Sequence, residues 1–167
     1  MADRTITISG ASKTFSITGW RIGTIVAPPD VTDAIRKVHD FLTVGAPAPL
    51  QEGVAVAIET LGDDYYEELA RDYRRRRDIL CAGLVKAGFK CRPPQGAYYV
   101  MADFSELSNL PDDAFAKWLT AEHKVASVPG SSFYSRSELG RKYVRFAFCK
   151  TEEMLEQAVE RLQRVRD

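Results

Sequence analysis

One lysine near the start of the chain lies in a setting that could support covalent chemistry. Lys13 follows four small residues, 9–12, and small residues let a bulky planar group come close to the backbone. An amine shielded from water beside a cationic group becomes a nucleophile that can condense with an aldehyde. Arg21, eight residues further on, offers a guanidinium fork that suits a phosphate oxyanion. A lysine and a phosphate-binding arginine in one small-residue loop indicate pyridoxal phosphate as the cofactor.

The residues around this lysine form an extended motif. Residues 9–23 read Ser-x-x-Ser-Lys-x-Phe-x-x-Thr-Gly-Trp-Arg-x-Gly. This motif resembles the cofactor-lysine signature of the class I/II aminotransferases, which are fold-type I pyridoxal-phosphate enzymes, and most of all the branch with kynurenine, methionine and aromatic aminotransferases. Many positions match at fixed spacing, so the motif is more specific than a short glycine-rich pattern. The plain alternative is a surface lysine in a loop.

The resemblance implies roles for three residues of this motif. Lys13 would bind the cofactor and move a proton as a general acid and base. Arg21 would neutralise the cofactor phosphate, and Ser12 would be a further cofactor contact. The family commonly has a serine three residues before the lysine, where this chain has Gly10. Ser9 and Ser12 are the two candidates to replace that serine.

A second informative stretch lies near the end of the chain. Period-two alternation over residues 143–148 predicts a strand with Val144, Phe146 and Phe148 on one face and Arg145 on the other. Arginine is seldom buried without a partner. In the resembled family, the arginine of this segment binds the substrate α-carboxylate through a bidentate pair. A structural salt bridge of Arg145 is the alternative.

Composition excludes several other classes of protein. The chain has 167 residues, 45% hydrophobic residues, and 23 basic against 23 acidic side chains, so no overall charge favours a nucleic acid or a membrane surface. The arginines at 74–77 stand between Asp72 and Asp78 and predict a solvated helix face. Three cysteines without C-x-x-C spacing indicate reduced thiols in a cytoplasmic protein, with no metal site. No apolar run reaches membrane-spanning length.

The position of Lys13 bears on domain organisation. Only twelve residues precede it, whereas the resembled family places most of a large cofactor domain before this lysine. We therefore expect the chain to be the C-terminal part of an aminotransferase. Residues 1–62 would be a remnant of the large pyridoxal-phosphate-binding α/β domain, and residues 63–167 the small C-terminal domain. The expected fold class is α+β, with packed helices on an antiparallel sheet.

Periodicity and capping residues predict the elements. Strands are expected at residues 5–8, 22–27, 125–128 and 143–148, and residues 93–101 are expected to form a turn that leads into a further strand. Helices are expected after Asp30, from Leu50 to Leu61, from Asp63 to Gly88, after Pro111, and after Thr151. The final helix is predicted to pack inward through Met154, Leu155, Ala158, Leu162 and Val165.

The resemblance implies an activity and its partners. The parent enzyme would transfer an amino group between an amino acid and a 2-oxo acid and would be a homodimer, with no nucleic acid or membrane as partner. This chain is expected to be incomplete and inactive by itself. The alternatives are a non-catalytic folded fragment or self-associating interaction module, and a carbon–sulfur lyase of the same fold.

Overall fold

The computed structural model describes residues 1–166 and divides them into two compact units, one of residues 1–69 and one from residue 70 onward. The division falls inside one long helix, α4 (Asp63–Lys86). The sequence predicts a domain boundary seven residues earlier, after residue 62. Each unit has its own buried cluster of apolar side chains.

The first unit combines a two-stranded sheet with helices. Strand β1 (Thr7–Gly10) pairs antiparallel with β2 (Gly23–Val26), so that Gly10 lies opposite Gly23. The helices of this unit that precede α4 are the short α1 (Ala11–Thr14) and the longer α2 (Pro29–Thr43) and α3 (Ala48–Thr60). Short 3₁₀ helices cover Ala2–Arg4 and Thr18–Trp20. The core is small and consists of Ala11, Ile22 and Val54, with Phe15, Ile17, Ala46 and Leu50 packed against it.

Much of the apolar surface of the first unit is exposed. Every residue of β1 and β2 is exposed, although the two strands pair with each other along one edge. On α2, Val31, Ile35, Val38 and Leu42 line an open groove, and Phe41 beside it is 94% exposed. Two strands and a helix with bare apolar faces are poorly stabilised by a core of three buried residues. The unit therefore has surface that further polypeptide could cover.

The second unit is built on a three-stranded antiparallel sheet. Its strands are β3 (Tyr99–Asp103), β4 (Val128–Pro129) and β5 (Tyr143–Ala147), in the order β3–β5–β4. Helices α5 (Asp112–His123) and α6 (Glu152–Leu162) complete it together with most of α4. Three 3₁₀ helices occupy Gly130–Phe133, Ser137–Leu139 and Gln163–Arg166.

The core of the second unit is large and aromatic. Phe104 and Phe115 stack with ring centroids 4.0 Å apart, and Phe89 meets Phe146 edge to face at 5.6 Å. The predicted buried side of α4 is confirmed at Leu80 and Leu84. The remaining large buried side chains of this core include Val100, Leu119, Val144, Phe148, Leu155 and Leu162.

Some local predictions are wrong in detail. Asp30 does not cap α2, because Pro28 is the N-cap and Pro29, whose fixed φ suits a first helical position, begins the helix. Met154 does not pack inward and is 54% exposed. Thr151 does cap α6, since its hydroxyl accepts a hydrogen bond from the Met154 amide at 3.3 Å. No helix within residues 1–166 is long and apolar enough to cross a membrane.

Candidate functional site

Lys13 lies in the short helix α1, which follows β1 directly. The helix is joined to β2 because the Ala11 amide donates to the Ile22 carbonyl at 3.1 Å. At its other end, the Tyr65 hydroxyl donates to the Thr14 carbonyl at 2.6 Å, and the Tyr65 ring stacks on Phe15 with centroids 6.2 Å apart. The lysine is half-buried. It is therefore carried by backbone that is fixed on both sides.

A turn with unusual backbone conformation follows this helix. Ser16 has φ 56° and Arg21 has φ 58°, both in the left-handed region. Residues other than glycine reach that region at a cost of about 1–2 kcal/mol each. Two such residues within six positions mark this turn as a strained backbone segment, and strained backbone clusters at functional sites.

Hydrogen bonds connect this turn with the lysine helix. The Thr18 hydroxyl donates to the Ser12 carbonyl at 3.2 Å, and the Arg21 guanidinium donates to the Thr18 carbonyl at 3.1 Å. Thr18 thus links the residue before Lys13 to Arg21. The sequence motif includes Thr18 but predicts no role for it, and nothing in the sequence points to Tyr65 as the residue that holds Thr14.

The backbone around Lys13 leaves room for a planar group. A methyl group added at Gly10 or at Gly19 would meet no other atom within 4 Å. At Gly23 the backbones are close, since a methyl group there would lie 2.8 Å from the Ser9 carbonyl oxygen. Trp20 lies against α3, where a methyl group on Gly53 would be 3.0 Å from its ring. Of the three glycines in the motif, Gly23 allows two backbone segments to lie close together, whereas Gly10 and Gly19 have open space beside them.

Arg145 lies in the second unit, on the central strand β5. Its guanidinium carbon is 4.9 Å from the centroid of the Tyr99 ring and 4.4 Å from that of Phe133. Across the strands it lies opposite Met101 on β3 and Val128 on β4. Within residues 1–166 the guanidinium forms no salt bridge with a carboxylate. Cation–π contacts use the faces of the guanidinium plane and leave the N–H groups at its edge to other partners.

Comparison with known proteins decides the family. The family model described as aminotransferase class I and II matches residues 1–162. The chain belongs to the class I and II aminotransferases. The resemblance seen in the sequence motif is thereby confirmed. Class I and II aminotransferases generally use pyridoxal phosphate.

Individual aminotransferases match almost all of the chain. It is 37% identical to a kynurenine–oxoglutarate transaminase of Dictyostelium discoideum, with 97% of this chain and 42% of that protein covered. It is 36% identical to the methionine aminotransferase of Escherichia coli, with 99% and 42% covered. The solved structure of the N-succinyldiaminopimelate aminotransferase of Mycobacterium tuberculosis is 36% identical and superposes with a TM-score of 0.90, over 99% of this chain and 43% of that one. The chain spans about two fifths of the length of these relatives.

Proposed function

We propose that this chain carries the cofactor-binding lysine of a pyridoxal-phosphate-dependent aminotransferase, as the C-terminal part of a longer enzyme. The observation that carries the proposal is the fixed lysine turn, in which Thr18 joins the residue before Lys13 to Arg21. The complete enzyme transfers an amino group between an amino acid and a 2-oxo acid. Residues 1–62 would be the remnant of the large domain, and residues 63–167 the small domain.

The residues of the first unit fit two parts of the cofactor. The Lys13 amine can condense with its aldehyde, and the open backbone at Gly10 and Gly19 gives its planar ring room to approach. Arg21 and the Ser12 hydroxyl can bind its phosphate. Asp3, the only acidic residue before Lys13 in this sequence, stands too near the lysine to pair with the ring nitrogen of the cofactor.

In the complete enzyme these residues have separate tasks. The bound cofactor supplies an electron sink for the carbon that loses its proton. Lys13 would hold the cofactor, and its amine would move the proton at the substrate Cα as a general acid and base. Arg21 would neutralise and position the phosphate of the cofactor. We expect the 167-residue chain to hold the cofactor weakly and to lack transaminase activity by itself.

We assign substrate carboxylate binding to Arg145. The rings of Tyr99 and Phe133 hold its guanidinium, while the N–H edge is left to form a bidentate pair with a carboxylate. In the complete enzyme, Arg145→Lys keeps the charge but loses the fork, so KM for the amino acid should rise about tenfold or more. Arg141→Lys, at an exposed position nearby in sequence, serves as the control. An unchanged KM in the Arg145 variant would contradict this assignment.

The role of Lys13 can be tested on the chain as it stands. The chain is incubated with pyridoxal phosphate, reduced with borohydride to make the lysine–cofactor bond permanent, and digested for mass spectrometry. The adduct should map to Lys13 and disappear in Lys13→Ala. Lys37→Ala, which changes an exposed lysine of α2, should retain it. An adduct spread evenly over surface lysines, or unchanged by Lys13→Ala, would overturn the proposal.

A second candidate, self-association of this chain, rests on the exposed apolar surface of its first unit. Phe41, Leu42 and Val38 on α2 and Ile8 on β1 are largely exposed, and large exposed apolar patches mark interaction surfaces. A homodimer of the complete enzyme is consistent with the same surface. Light scattering should give the mass of a dimer for the chain and of a monomer for Phe41→Lys. A monomer for the parent chain at all concentrations would rule out the second candidate.

A further inference from the structure

Two cysteines of the second unit, distant from its substrate-binding arginine in sequence, lie against each other. Cys81 is on α4, and Cys91 follows the turn that ends this helix. The Cys91 thiol donates a weak hydrogen bond to the Cys81 carbonyl at 3.9 Å, and all three cysteines of the chain are free thiols. The contact is local, because only nine residues separate the two positions.

The two thiols differ in their access to solvent. Cys81 belongs to the buried core and is 3% exposed. Cys91 is half-buried and lines a surface groove of about 530 Å³, together with Lys90, Arg92 and Met101. A small reagent in this groove can therefore reach Cys91, whereas Cys81 is buried and does not line the groove.

The electrostatics of the pair also differ between its members. A hydrogen bond from the Cys81 thiol lowers the pKa of Cys91, because it stabilises the Cys91 thiolate. The same hydrogen bond, followed by burial, raises the pKa of Cys81. The accessible sulfur is thus the one that ionises first, and thiolates are the reactive form of cysteine.

We propose that Cys91 and Cys81 are an oxidation site, at which a hydroperoxide oxidises Cys91 and Cys81 then closes an intrachain disulfide. The inference does not depend on the aminotransferase reaction, because neither thiol is assigned a part in it. The sequence predicts three reduced thiols, and the structure adds that two of them form a pair with one accessible member and one buried member that could resolve its oxidised form.

The chemistry proceeds in two balanced steps. The Cys91 thiolate attacks one peroxide oxygen, a sulfur–oxygen bond forms, the oxygen–oxygen bond breaks, and the second oxygen leaves as an alkoxide or hydroxide that takes up a proton. Cys91 is oxidised by two electrons to a sulfenic acid and the peroxide is reduced. The Cys81 sulfur then attacks the Cys91 sulfur, the sulfur–sulfur bond forms, and the hydroxyl leaves as water with the Cys81 proton. With hydrogen peroxide, two thiols and one peroxide give one disulfide and two waters.

The test is a titration of the reduced chain with hydrogen peroxide. Remaining thiols are blocked by alkylation, and the chain is digested with trypsin without reduction. A cross-link should join the peptides of residues 78–86 and 91–117, which contain Cys81 and Cys91. Cys91 should be consumed about tenfold faster than Cys149, since the hydrogen bond from Cys81 lowers the pKa of Cys91 and it lines the groove. Dithiothreitol should restore all three thiols.

Three single variants make the outcome specific. Cys149→Ser should form the cross-link as the parent does. In Cys81→Ser, the sulfenic acid of Cys91 should persist and be trapped by dimedone, whereas in Cys91→Ser the buried Cys81 should stay reduced. The proposal is overturned if the parent chain carries Cys91 to a sulfinic or sulfonic acid without the cross-link, or if Cys149 reacts first.

Discussion

Helices α4 and α6 approach each other so closely at Gly83 that an alanine there should destabilise the protein. An added methyl group would overlap both methyls of Val159 and lie 2.9 Å from its Cβ. Rotation of the valine side chain exchanges the methyls but leaves Cβ in place, so the helices themselves must move apart. The same helices enclose the buried side chains Leu84 and Leu155.

The expected loss follows from two opposing effects. Overpacking of a close contact costs about 1–3 kcal/mol, and the overlap with three atoms of Val159 places Gly83→Ala at the upper end. Alanine has a higher helix propensity than glycine, which by itself raises the free energy of unfolding by about 1 kcal/mol. We therefore expect Gly83→Ala to lower the free energy of unfolding by about 1–2 kcal/mol. Adding Val159→Ala should recover about 1 kcal/mol or more of this loss as a coupling energy.

The assay is urea unfolding followed by the fluorescence of Trp118, which contacts the core of the second unit. The chain has two tryptophans, so the measurements use a Trp20→Phe background. Ala82→Gly, at an exposed position of the same helix, measures the helix propensity contribution alone and should cost about 1 kcal/mol. A Gly83→Ala variant as stable as its parent, or a double variant without any recovery, would refute the reasoning.

Three further variants probe the second unit by thermal unfolding, each against the parent chain. Thr151→Ala removes the hydroxyl that caps α6 and should cost about 1 kcal/mol, and an unchanged melting temperature would contradict the capping role. Asp112→Ala removes the buried carboxylate that accepts the Ser131 amide at 2.7 Å, and should cost about 1–3 kcal/mol; a neutral result would mean that water replaces it. Gly140→Ala would place a methyl against the backbone of Gly130, so we expect little folded protein, and normal stability would contradict that packing.

Helices were the part of the fold most accessible to prediction from sequence. The acidic start of α4, its apolar stripe and Gly88 after its end give three agreeing signals, and Gly88 does have φ 98°. Hydrophobic spacing alone was not sufficient at Met154, which fits the spacing of the inward face of α6 but is exposed. Of the strand predicted at residues 125–128, only Val128 lies in the sheet, because the observed strand β4 is Val128–Pro129.

The surroundings of the candidate site residues were less accessible. The motif identifies Lys13 and Arg21 as a pair, but the hydrogen bonds through Thr18 depend on backbone conformations that residue types do not specify. For Arg145, the period-two alternation of residues 143–148 predicts only on which face of the strand its side chain lies. Its two aromatic contacts come from another strand and from the 3₁₀ helix Gly130–Phe133, so their approach follows from tertiary packing. The contact between Cys81 and Cys91 also has no signature in the sequence, because it depends on how the turn after α4 places Cys91.

The central claim is that Lys13 and Arg21 hold the two ends of one cofactor, and a comparison of two aldehydes tests it most directly. Dissociation constants are measured for pyridoxal phosphate and for pyridoxal, which lacks the phosphate, with the parent chain, Arg21→Gly and the exposed control Arg36→Ala. Glycine suits the left-handed backbone at position 21. A charged hydrogen bond to phosphate contributes about 1.5–3 kcal/mol, so the parent and the control should prefer the phosphorylated aldehyde about tenfold or more. Arg21→Gly should lose that preference while its affinity for pyridoxal stays the same; an equal preference in all three proteins would contradict the claim.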